Sequence, residues 1–159
     1  MPSYGCAMDG RPLTSGEIGL VRGMFGDAID CSRVRLFKRK WWPFHPHNAA
    51  MAPMGDVYFH PKGHVWSEDF STESLGRQAF FIHELTHVWQ AQAKGRFYLL
   101  LMRHPFCRYE FHLEPGKSFD RYGLEQQAEI VRNCFLAEHG VPVQVRPPRE
   151  LLPFAPIVR

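Results

Sequence analysis

The sequence predicts a single-domain α+β fold, and three observations carry that reading. Apolar residues recur at helical spacing in three long segments. Two short segments alternate apolar and polar residues in the manner of strands. The chain has 159 residues and is 45% hydrophobic, 22% charged and 14% aromatic, which is enough to bury one core. The longest apolar stretch, Phe97-Tyr98-Leu99-Leu100-Leu101-Met102, falls far short of the roughly 18 residues a membrane span needs, so no membrane is expected.

Residues 1–13 are rich in small residues, glycine and proline, and predict a loose lead-in. They lack the basic and apolar regions of a secretory signal, which predicts a cytoplasmic location and leaves export by a specialised secretion system open. Thr14 or Ser15 can cap a first helix, with Glu17 in its first turn and Ile18, Val21, Phe25 and Ile29 along one face. Residues 33–40 alternate as a strand. Residues 41–55 hold three prolines and predict a loop. Residues 56–60 form a second short strand, ended by Pro61 and Gly63. A second helix begins near Ser74, runs to about Ala93 and stops at Gly95. Residues 99–112 are ambiguous, with a break at Pro105, and Pro115-Gly116 is a turn. A third helix spans about Phe119 to Glu138, with Gly140 as its stop. The proline-rich tail from Val141 predicts an extended segment draped over the surface.

The net charge of +3 does not imply nucleic-acid binding. The basic run from Arg33 to Lys40, followed by Trp41 and Trp42, reads as a solvated strand face. Cys6, Cys31, Cys107 and Cys134 show no CxxC spacing and predict free thiols. Nine histidines raise the expectation of a metal site.

The second helix contains His83-Glu84-Leu85-Thr86-His87, an HExxH pattern. Residues i and i+4 share a helix face, so both imidazoles can reach one Zn2+ ion. Glu84 lies about 100° further round the helix, beside the metal. It can take a proton from an attacking water and return it to a leaving amine. Phe81, Leu85, Val88 and Trp89 on the other face would anchor the helix.

Gln90 and Ala93 break the longer HExxHxxGxxH pattern, so a third ligand must come from elsewhere. Glu125 and Glu129 on the third helix again stand at i and i+4. Glu125 is assigned as the ligand, against the alternative that Glu129 takes that place; Glu129 and His104 are assigned to the shell behind the ligands. Candidates to bind a developing oxyanion are His104, Tyr109, His112 and Tyr122. Tyr122, one turn before Glu125, is the choice, against the alternative of a core tyrosine. His45, His47, His60 and His64 are read as structural loop residues.

The segments Phe80 to Gln90 and Tyr122 to Val131, with Trp41-Trp42-Pro43-Phe44 and Arg103 to Tyr109, resemble small bacterial Vgr-related (Rhs-element Vgr) proteins over residues 13–140. More distantly the chain is similar to zincin-like domains of bacterial toxins, with HELxH followed by a glutamate-rich helix. The resemblance implies a zincin-like fold, a small sheet lying over the HExxH helix, and zinc held by His83, His87 and Glu125 with Glu84 as general base. It implies a zinc metallopeptidase acting on a peptide or protein substrate, and a secretion-system partner. The alternative is a non-catalytic zinc-binding adaptor or regulator, which a closed fourth coordination position from His104 or His112 would favour.

Overall fold

The computed structural model of the chain describes residues 10–103 and 106–154. In chain order its elements are β1 (Arg11–Pro12), α1 (Ser15–Phe25), β2 (Arg35–Phe37), β3 (Ala50–Met51), β4 (Val57–Phe59), α2 (Leu75–Lys94), α3 (Tyr98–Met102) and α4 (Leu124–Glu138). Short 3-10 turns occupy Cys31–Arg33, Phe70–Thr72, Phe119–Arg121 and Arg149–Leu151. The strands form one sheet in the order β1-β2-β4-β3. β2 and β4 are parallel, and the two outer pairings are antiparallel. β3 is therefore an edge strand, and its outer side carries no further strand among the described residues.

Local chemistry sets the helix boundaries. Thr14 and Glu17 form a reciprocal capping box at the start of α1. The Glu17 carboxylate is fully buried and accepts from both Arg11 Nη atoms at 2.8 Å, from Thr14 N–H and from Phe70 N–H at 2.9 Å. It thereby ties β1, α1 and the turn before α2 together. Ser74 caps α2, and Gly95, at φ 105°, supplies the left-handed backbone that ends it.

The core lies between the sheet, α2 and α4. Phe59, Phe70 and Phe81 stack in series, with ring centroids 5.5 and 4.5 Å apart. Leu36 and Val57 from the sheet, Leu85 and Val88 from α2, and Ile130 and Val131 from α4 complete it. No helix among the described residues is long and apolar enough to cross a membrane.

Several expectations are corrected. Within the predicted lead-in, residues 11–12 are a strand and Leu13 is buried, and residues 1–9 lie outside the described residues. The first helix stops at Phe25, because Gly26 adopts φ 57°; Ile29 reaches the core from beyond it. The strands are shorter than their alternating patterns, and the predicted loop over 41–55 contains β3, whose two residues are too few to show a period. The third helix begins at Leu124, after a separate 3-10 turn. The tail is not merely draped. Leu152 and Phe154 are buried, and Phe154 packs on Phe25, Phe119 and Trp89. Arg149 also donates to the Gly23 and Met24 carbonyls at the end of α1.

Candidate metal centre

α2 packs along α4, and the contact buries polar side chains as well as apolar ones. His83 and His87 lie one turn apart on α2 and face Glu125 in the first turn of α4. His83 Nε2 is 3.3 Å and His87 Nε2 is 3.1 Å from the same oxygen, Glu125 Oε2. These three residues form a buried group that could hold a metal ion.

The other ring nitrogens are fixed from behind. His83 Nδ1–H donates to Glu129 Oε1 at 2.8 Å. His87 Nδ1 lies 2.8 Å from Gln90 Oε1. The orientation of that amide follows from its neighbours. Gln127 donates its amide to the Phe119 and Tyr122 carbonyls, so its oxygen accepts from Gln90 Nε2, which also donates to the Leu124 carbonyl. Gln90 Oε1 is left facing His87, so His87 Nδ1 must be the donor.

Electrostatics agree with this arrangement. Burial opposes charge on His83, but hydrogen bonds to Glu125 and Glu129 prevail and push it up to about 9. Burial likewise opposes charge on Glu125, and the two imidazoles prevail, holding its carboxyl far below the usual carboxylate range. Burial opposes charge on Glu129 too, and His83 and then Arg132 prevail and lower it. Glu84 goes the other way. Burial pushes its carboxyl up, and the neighbouring imidazoles only partly compensate.

Two cavities meet at this group. A polar one of about 260 Å3 is lined by Asn48, Ala50, His83, Glu84, Glu129 and Arg132, among others. An apolar one of about 280 Å3 lies beyond His87, against Trp41, Trp42 and α3. His87, Arg103 and Glu125 border both. Arg103 Nη2 is 3.3 Å from Glu125 Oε1, on the carboxylate's other side. The Tyr109 ring is nearly parallel to that of His83, with centroids 6.4 Å apart. Burial, and secondarily Glu125, raise the Tyr109 hydroxyl above its ordinary value.

The structure thus brings His83, Glu84, His87, Glu125 and Glu129 together. It does not bring Tyr122 to them. Its hydroxyl accepts from Glu114 N–H at 3.2 Å, its ring is buried and under Lys117, and it lines neither cavity. His112 is exposed in a separate groove, and His104 lies outside the described residues. Among the loop histidines, His45 is buried, accepts from Trp41 N–H and donates to the Ala49 carbonyl. His47 stacks on buried His60 at 3.8 Å. These contacts shape the 41–50 segment that walls the site. Residues missed by the sequence reading are Gln90, Gln127 and Arg103; only the resembling segment from Arg103 to Tyr109 pointed to the last.

Fold and cluster together define an α+β protein with a buried His–His–Glu group on two packed helices. The chain is 43% identical to the solved effector domain of Pseudomonas aeruginosa VgrG2b, with a TM-score of 0.72, covering 84% of this chain and 77% of that one. It is also 44% identical over 137 residues to the type VI secretion system spike protein VgrG2b of Pseudomonas aeruginosa, covering 82% of this chain. The match spans only 13% of the spike protein's length. No family model matches. The chain belongs to the family of the VgrG2b effector domain.

Proposed function

We propose that this chain is a zinc-dependent peptidase serving as an effector domain of a type VI secretion system. One observation carries the metal. Both imidazoles commit their Nδ1–H to fixed acceptors, so in its neutral form each ring would turn an Nε2 lone pair toward Glu125 Oε2. Three electron-pair donors of the types that bind zinc then converge on one buried point, which needs a cation or added protons. Three protein ligands leave room for a fourth position, the pattern of catalytic rather than structural zinc.

Zinc bound there would supply Lewis acidity toward water and a peptide carbonyl. Glu84, on the wall of the polar cavity and raised by burial, takes the proton of the attacking water and passes it to the leaving amine. Arg103 and Tyr109 line the same cavity and supply donors for the carbonyl oxygen as charge develops on it. Glu129 and Gln90 hold the imidazoles in the required tautomer. The outer edge of β3, which pairs with no further strand among the described residues, offers main-chain pairing to an extended substrate. Export and a spike-protein partner are supported by the identity to the VgrG2b effector domain.

Elemental mass spectrometry and casein hydrolysis test this reading. One zinc per chain is expected in the wild type, lost in His83→Ala and Glu125→Ala and retained in Glu84→Gln. Glu84→Gln should lose hydrolysis by about 100-fold or more. A wild type that takes up no zinc overturns the metal assignment. Zinc without hydrolysis of any protein substrate would favour a non-catalytic adaptor.

A further inference from the structure

The apolar cavity beside the metal group has no part in the chemistry above. Trp41, Trp42, Met51, Leu99, Leu100 and Leu124 line it, so its surface is mainly apolar, and His87, Arg103 and Glu125 are its charged or titratable neighbours. Leu99 and Leu124 are buried, whereas Trp42 and Leu100 are partly exposed at its mouth. Its volume of about 280 Å3 exceeds the roughly 150 Å3 that suffices for a benzene ring in a cavity of similar lining.

The edge strand β3 says what shape of ligand fits. Asn48, Ala49 and Ala50 line the polar cavity, and Met51, Ala52 and Pro53 line the apolar one. The chain around β3 therefore runs along the cleft from one cavity to the other, past His87 and Glu125. A peptide paired to the open edge of β3 would cross the metal group in extended form. Its side chains would alternate, one of them entering the apolar cavity while the backbone stays on the strand.

We propose that this cavity is a side-chain subsite that takes a bulky apolar residue, Phe, Leu, Met or Trp, adjacent to the scissile bond. The proposal rests on the peptidase reading for its substrate class. Burying such a side chain there gives a preference over alanine of about tenfold to a hundredfold.

The experiment separates binding from hydrolysis. Acetyl-Ala-Phe-Ala-amide and acetyl-Ala-Ala-Ala-amide are titrated by NMR into the zinc-supplemented Glu84→Gln protein. The Phe peptide should bind at least tenfold more tightly and shift the methyl signals of Met51, Leu99 and Leu100. Leu100→Trp, at a partly exposed wall position, fills the cavity and should reduce the preference to within about twofold. Trp42→Ala widens the mouth and should weaken Phe binding, which keeps the proposal testable if the first variant misfolds. In parallel, cleavage sites in a proteome-derived peptide library should show bulky apolar residues at one fixed position beside the cut.

Equal binding of the two peptides, or a preference that survives Leu100→Trp, overturns the subsite. So does octanoate binding in the cavity with no peptide binding, which would make it an acyl-chain site. Selective Phe binding without any cleavage in the library overturns the peptidase reading and leaves the peptide subsite standing.

Discussion

At the scale of single residues, the centre depends on side chains that stand behind the imidazoles. Gln90→Leu removes the acceptor of the buried His87 Nδ1–H and leaves that donor unpaired. Zinc affinity should fall about 10- to 100-fold, measured by competition with a chromophoric chelator. The metal-free protein carries a pH signature. His83, pushed up to about 9, is protonated at neutral pH when paired with Glu125 and Glu129. A group raised in the folded state stabilises below its unfolded value of about 6.5 and loses that contribution as pH rises through the folded value. Chelator-treated protein should therefore lose stability between about pH 6.5 and 9, seen in urea midpoints, and zinc affinity should rise over the same interval. The cluster of His83, His87 and Glu125 was legible because i, i+4 spacing on two helices narrows the geometry. Gln90 and Arg103 were not, since their importance comes from partners on α4, 34 or more residues away in Gln90's case and 22 in Arg103's.

At the scale of elements, the segments flanking the site are held by contacts that no local periodicity encodes. Gly63 packs so closely on the His47 carbonyl that an added Cβ would collide with it. Gly63→Ala should displace the 41–50 segment, cost about 1–3 kcal/mol in urea unfolding, and change the fluorescence of Trp41 and Trp42. The Arg11–Glu17 pair behaves similarly. Arg11→Ala removes two of the four hydrogen bonds that a fully buried carboxylate accepts and should destabilise by about 3 kcal/mol, against a small effect of breaking the Lys117 pair, whose Glu114 carboxylate is exposed. α1 and α2 were readable from caps and apolar stripes. β1 and β3 were not, because two-residue strands exist only through their pairing with β2 and β4.

For the whole molecule, the aromatic layer closes only when the C-terminal segment returns to α1. Prolines in that segment suggested an extended surface run, but Leu152 and Phe154 fill space between Phe25, Trp89 and Phe119. Phe154→Ala should cost about 3 kcal/mol, measured by denaturant unfolding, with zinc content unchanged. The α+β class followed from composition and period, whereas the sheet order required long-range pairing that no short window contains. His87 and Glu125, which face each other, are 38 positions apart in the chain. An unstructured copy retains only two histidines four positions apart in sequence, without the carboxylate facing them or the amide behind. Capture of the proposed zinc would therefore require the docking of α4. On the peptidase reading proposed above, a polypeptide that has not completed that docking would have no assembled centre with which to attack its neighbours, so the fold itself would set the moment at which reactivity begins.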